Sequence, residues 1–106
     1  MAYPFESQGT DFGHAVVAAK EGKRIARAGW GGMFAFMRPA DTLPSAILGN
    51  VKSLPASVKE FLINEDKGSF DFSAYFCLYV PSSTSIVNGW AASQLDVQAT
   101  DWVVLD

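Results

Sequence analysis

The chain has one cysteine, Cys77, and one histidine, His14, among its 106 residues. A single thiol rules out an intrachain disulfide framework. Because Cys77 lies in an apolar run, it is expected to be buried and inert, which suits a reducing cytosol. One His, one Cys and scattered carboxylates do not make a Cys/His zinc site, and a nucleophile-His-acid triad would have to recruit His14. Helical spacing turns His14 away from the apolar stripe of its segment, so it is expected to face solvent. There is no GxxxxGK[ST] and no GxGxxG opening a helix, which leaves nucleotide hydrolysis and dinucleotide cofactors without a motif. No metal, catalytic group or cofactor is assigned.

Charge is sparse too: charged residues are 18% of the chain and the formal net charge is −3. The summed field repels polyanions, which argues against a nucleic-acid polymer or an anionic membrane as partner. No stretch approaches the ~20 apolar residues of a membrane span. Residues 1–6 show neither a basic n-region nor an apolar h-region, so a soluble intracellular protein is expected. What the chain has instead is apolar and aromatic material, 49% and 13% of its residues with eight Phe. That is rich for one small domain, and the apolar surface left over predicts a homo-oligomer.

The pattern along the chain predicts one α+β domain over residues 1–106. An N-terminal helix packs on an antiparallel sheet of about four or five strands, with short additional helices. Residues 1–10 read as an arm. Asp11 caps a helix with Phe12, Ala15, Val16 and Ala19 on one stripe, and Gly22 ends it. Lys23 to Ala28 reads as a strand with Ile25 inward, followed by a turn at Gly29 to Gly32 and a strand from Met33 to Met37. Residues 40–71 lose strand periodicity and read as an excursion from the sheet, with a short helix after Pro55. Phe72 to Val80 alternates as a strand whose tyrosine-bearing face is expected to meet another subunit or a ligand. Ser85 to Val87 returns, Ser93 and Asp96 form a capping box for a helix near 94–99, and Trp102 to Leu105 is a terminal strand.

Two Gly-Trp corners carry the functional argument: Gly29-Trp30-Gly31-Gly32 and Gly89-Trp90-Ala91-Ala92-Ser93-Gln94. Each sets a large indole beside residues too small to cover it, as a stacking pocket would. The competing reading makes both rings core anchors at strand ends. Four of the eight basic residues fall between Lys20 and Arg27, enough for a small phosphate-bearing ligand and too few for a polymer; a strand edge protected by charge gives the same pattern. The binding set read from the residues is Trp30 and Trp90 as stacking planes, Ser93 and Gln94 as hydrogen-bonding groups, and Arg24 or Arg27 as phosphate partners. A hydrolase using Asp96 and Asp101 competes with a capping role for Asp96 and a turn role for Asp101. A third class is a protein-binding inhibitor of a host factor acting through an aromatic surface.

Phe12-Gly13, Glu21-Gly22-Lys23, the basic strand into Gly29-Trp30, and above all Gly89-Trp90-Ala91-Ala92-Ser93-Gln94-Leu95-Asp96 with Asp101-Trp102 resemble the phage Thoeris anti-defence 2 family. The resemblance implies a non-enzymatic sponge. It would sequester a cyclic ADP-ribose immune signal, in some members cyclic dinucleotides as well, in pockets shared within a homotetramer in the cytoplasm of the infected bacterial host. Trp30 and Trp90 would then stack on adenine, with Ser93, Gln94 and Asp96 giving polar contacts, while Trp102 is assigned to the core. The family often carries Asn-Gly and a Lys after the first Gly-Trp, where this chain has Gly31-Gly32-Met33. That departure bears on ligand preference more than on fold.

Overall fold

The computed structural model describes residues 9–105; of the expected arm, residues 1–8 lie outside that range. In chain order the elements are α1 (Phe12–Lys20), β1 (Arg24–Arg27), β2 (Phe34–Arg38), β3 (Asp41–Pro44), a 3-10 helix (Ser45–Asn50), α2 (Ala56–Glu65), β4 (Ser69–Phe72), β5 (Tyr75–Val80), β6 (Ser85–Asn88), α3 (Gln94–Gln98) and β7 (Trp102–Leu105). They fall into two compact units. One holds the described residues up to Pro39 and from Tyr75 onward, the other Ala40–Ala74.

The first unit is a five-stranded sheet in the order β6-β5-β2-β1-β7, antiparallel at every pairing, with α1 packed on one face. Local chemistry fixes both ends of α1. The Asp11 carboxylate accepts the His14 backbone N–H at 2.9 Å, satisfying one of the donors a helix start leaves open. At the other end Gly22, at φ +94°, allows Lys23 N–H to reach the Ala18 carbonyl at 3.1 Å and Gly22 N–H that of Ala19 at 3.0 Å, closing a Schellman motif. His14 is exposed, and its Nδ1 lies 2.6 Å from the Asp11 carboxylate. The contact stripe of α1 is one residue wider than the periodicity predicts, with Ala15, Ala18 and Ala19 buried and Phe12 and Val16 half-buried. Four small or flat side chains let the helix lie close to the sheet.

Because side chains alternate across a strand, the register decides what α1 meets. Ile25 stands opposite Ala35 and Val104, and these belong to the core with Trp102, Met37, Phe76 and Leu78. Trp102 is the largest side chain with no exposed surface. The opposite face carries Arg24, Ala26, Phe34, Phe36, Tyr75, Cys77 and Tyr79. Cys77 is fully buried there, as expected, and its Sγ donates to Asn88 Oδ1 at 3.3 Å. Near the start of the described chain, Thr10 exchanges backbone hydrogen bonds with Trp102, at 2.7 and 3.0 Å. Gly9 makes this approach possible: a Cβ there would stand 2.7 Å from both Asp101 Cα and the Thr100 carbonyl oxygen.

The unit Ala40–Ala74 corrects two expectations. The stretch 40–71 is not strandless: β3 and β4 pair antiparallel from Asp41 opposite Phe72 to Pro44 opposite Ser69, with Thr42 Oγ1 donating to Asp71 at 2.8 Å. Pro44 fits because it sits at the end of the ladder, where a missing N–H costs least. The single strand expected from Phe72 to Val80 is two strands. Phe72 closes β4, Ser73 and Ala74 leave the ladder, and β5 starts at Tyr75. β4 alternates exposed and half-buried residues, whereas every residue of β5 is half-buried or buried; the sequence alternation of Phe70, Phe72, Ala74 and Phe76 runs through the break. The helix after Pro55 forms as expected, with Pro55 as its N-cap residue, and Leu48 is fully buried in the 3-10 turn.

Candidate ligand-binding site

The two Gly-Trp corners, remote in sequence, meet in space. The first is the connection from β1 to β2, where Gly29, Gly31 and Gly32 take φ of +85°, +63° and +96° and only glycine is unstrained. The second follows β6. Gly89 at φ +76° lets its own N–H and that of Trp90 both donate to the Phe76 carbonyl, at 2.9 and 3.0 Å. Trp30 and Trp90 then pack edge to face, centroids 6.0 Å apart and planes at 89°, and both lean on Trp102, at 5.2 and 6.4 Å. Such pairs contribute about 0.5–1.5 kcal/mol each beyond area burial. Trp30 and Trp90 remain half-buried while Trp102 is sealed.

This geometry defines how the rings can stack. A base sandwiched between two parallel planes needs about 7 Å between them, twice the contact distance of carbon atoms. Trp30 and Trp90 are closer than that and perpendicular, so within one protomer each offers a separate face or edge. Trp30 also lines a cleft of about 550 Å³ formed by the first corner and the edge of the sheet. Its other walls include Arg24, Arg27, Phe34, Tyr79 and Leu105. Phe34 and Tyr79 are cross-strand partners with ring centroids 5.1 Å apart, and the Arg24 guanidinium lies over the Phe34 ring at 5.2 Å. A cation, two aromatic rings and an indole around one concavity can hold a flat, anionic small molecule.

Arg24, Arg27 and Trp30 therefore share the cleft, and Trp90 touches Trp30 from the side. Ser93 and Gln94 are exposed at the start of α3. The Ser93 hydroxyl accepts the Asp96 N–H at 3.1 Å, and Asp96 Oδ2 accepts the Ser93 N–H at 3.0 Å, so the capping box forms as the sequence predicts. Arg27 is engaged on two sides: Nε donates to Asp101 Oδ1 at 2.9 Å and Nη1 to Asp96 Oδ1 at 3.0 Å. Partial burial pushes the Asp96 carboxyl up, but the Ser93 backbone N–H and hydroxyl and the Arg27 guanidinium together hold it below the usual carboxylate value. Hydrogen bonds to Asp101 and Asp96 raise the Arg27 guanidinium further. The Trp102 indole N–H donates to the Asp96 carbonyl at 2.8 Å, tying α3 to the core.

Phe34 was not singled out from the sequence as a site residue, and Tyr79 only as part of the tyrosine-bearing face expected to meet another subunit or a ligand. The available signal was the strand alternation that puts Phe34 with Phe36, and Tyr75 with Tyr79, on the face away from α1; locating the cleft also required the β2–β5 register. A smaller cavity of about 240 Å³ lies beside β7, among Gly9, Thr10, Val17, Trp102 and Val104. Among the described residues no group of three His, Cys, Asp or Glu side chains could hold a metal ion, and no helix is long and apolar enough to cross a membrane.

Fold and site define a small α+β protein with an aromatic, arginine-bearing cleft at one end of an antiparallel sheet. The family model for a Thoeris anti-defense 2-like domain matches residues 10–105, nearly the whole described chain. The chain belongs to that family. It is similar to Thoeris anti-defense 2 of Bacillus phage SP01, 26% identical over 96 residues that cover 89% of this chain and 92% of that protein.

Proposed function

We propose that this protein is a phage anti-defence sponge. It binds a cyclic ADP-ribose immune signal without degrading it, in the cytoplasm of the infected bacterial host, so that a Thoeris-type effector is not activated. The observation that carries the reading is the half-open Trp30 at the meeting point of the two Gly-Trp corners, lining a cleft with Arg24, in a chain of the anti-defence family. The ligand-binding set is Trp30, Trp90, Ser93, Gln94, Asp96, Arg24 and Arg27. Because the two indoles cannot sandwich a base within one protomer, the reading includes a homo-oligomer, a homotetramer, in which a neighbouring copy closes the pocket. Cyclic dinucleotides are a second ligand class of the same reading.

Sequestration rather than turnover fits the chemistry of the carboxylates. A paired-carboxylate hydrolase needs one acid with a raised pKa. Asp96 and Asp101 instead share one guanidinium, and Asp96 is held low. A protein-binding inhibitor is the second reading, favoured by the exposed apolar side chains of α2: Val58, Ile63 and Phe61, the last 61% exposed.

The experiment is a thermal-shift and mass-spectrometry panel of cyclic ADP-ribose isomers and cyclic dinucleotides. Saturation at one hundred times Kd should stabilise the protein by about 2.7 kcal/mol. The nucleotide released by heat denaturation should have its original mass. A linearised or hydrolysed product would replace the sponge with an enzyme, and no shift with any nucleotide would favour the protein partner.

A further inference from the structure

We propose that Tyr79 is a ligand-contacting residue, the plane on which the base lies in the cleft, with Phe34 as the ring that holds it in place. The inference rests on the nucleotide-binding reading above and names the residue that makes the stacking contact. Trp30 is heavily engaged elsewhere. Its indole packs against the core on the α1 side of the sheet, with Trp102 and Trp90 in edge contact at 5.2 and 6.0 Å. The floor of the cleft belongs to the other face. Ala26, Phe34, Tyr79 and Val103 line it, and they alternate along their strands with Ile25, Ala35, Leu78 and Val104 of the α1 face.

The two rings of that floor differ in what surrounds them. Phe34 is hemmed in: the Arg24 guanidinium lies over it at 5.2 Å, and Tyr79 and Phe36 stand at 5.1 and 6.1 Å. Among the described residues, the one ring in contact with Tyr79 is Phe34, tilted by 37° on its β2 side. On its β6 side the cross-strand partner Ile86 is 50% exposed. A half-buried tyrosine propped from one side offers a broad surface with only two side-chain torsions to order. Gly29, Gly31 and Gly32 wall the cleft with bare backbone, which lets a flat ring approach closely. A base on Tyr79 has Trp30 beside it in the same cleft, so one protomer supplies two aromatic contacts without a sandwich.

The test measures Kd and one nuclear magnetic resonance contact, using the cyclic ADP-ribose isomer or cyclic dinucleotide of the panel that the unmodified protein holds best. Losing a ring stacked on a base weakens binding by at least about fivefold, so Tyr79→Leu is expected to raise Kd by that factor or more. Tyr79→Phe keeps the ring and should stay within threefold. Phe36→Leu removes a comparable ring from the same face, outside the cleft, and should stay within twofold; loosening of the sheet would not spare it. In the complex of the unmodified protein, the base protons should shift upfield and show nuclear Overhauser contacts to the Tyr79 ring, whose resonances are those missing from Tyr79→Phe.

Those contacts need no destabilising variant, so they decide the matter if Tyr79→Leu does not fold. A Tyr79→Leu effect below fivefold, a loss in Tyr79→Phe or Phe36→Leu equal to that in Tyr79→Leu, or base protons that touch other rings only, overturns the proposal and leaves a nucleotide-binding protein. If no panel nucleotide binds the unmodified protein, the functional reading fails and the proposal fails with it.

Discussion

Replacing Trp102 by Phe asks whether one sealed indole supports the two half-open ones. The substitution removes the pyrrole half of a side chain that has no exposed surface and touches Phe12, Trp30 and Trp90 at centroid distances of 5.1, 5.2 and 6.4 Å. The ring that remains is ~40 Å³ smaller, worth about 1 kcal/mol as residual cavity, and the lost apolar transfer adds roughly 1.5 kcal/mol. The indole N–H bond to the Asp96 carbonyl goes as well. That carbonyl still accepts the Ala99 N–H at 3.3 Å, so it is not orphaned and the loss is about 1 kcal/mol. The sum is about 3.5 kcal/mol, a large share of the 5–15 kcal/mol typical of a folded domain.

Urea unfolding followed by far-ultraviolet circular dichroism at fixed protein concentration is the assay, and the midpoint should fall by roughly 2 M. Trp30→Phe, at a half-buried ring, is expected to cost less than half as much while weakening ligand binding. If Trp102→Phe costs under about 1 kcal/mol, or no more than Trp30→Phe, then Trp102 is not the support on which the corners rest.

Gly9→Ala should destabilise more than Gly89→Ala. Both positions have φ near +75°, worth about 1–2 kcal/mol for a side chain, but only at Gly9 would the new Cβ meet backbone, at 2.7 Å. Faster amide exchange at Trp102 in Gly9→Ala, and not in Gly89→Ala, would report loss of the Thr10 pairing; equal costs at the two sites would refute the close-approach argument. Acid unfolding should respond to Asp96. Its native pKa lies below the unfolded value of about 3.9, so its contribution is complete above that pH and is lost as pH falls through the native value. Asp96→Asn should make the acid limb shallower without flattening it, because Asp11, held low by its hydrogen bonds to His14, titrates in the same sense. An unchanged slope in proton-linked denaturation would show that Asp96 gains nothing from its partners.

What could be read from the sequence follows the range of the interactions involved. The Asp11 cap, the Gly22 ending and the Ser93–Asp96 capping box are each complete within a few residues, so composition at fixed offsets was enough to place them. Ile25 and Trp102 were legible as core because an apolar side chain in a short strand must face one side or the other. The pairing of β3 with β4 was not legible, because β3 is Asp41-Thr42-Leu43-Pro44 with no apolar period, and the Phe70–Phe72 alternation of β4 runs in phase into β5 and hides the break. The site lies almost entirely in the second category. Arg27 stands 69 and 74 residues from its carboxylates, and nothing local distinguishes it from Arg24, three residues earlier on the same strand. Only the fold separates them. The β1–β7 register carries Arg27 to Trp102 and the acidic pair, and Arg24 to Leu105 at the cleft. Two arginines that looked interchangeable as phosphate partners stand in different surroundings, Arg27 between two carboxylates and Arg24 over the Phe34 ring, and the difference is decided by where a strand pairs rather than by what it contains.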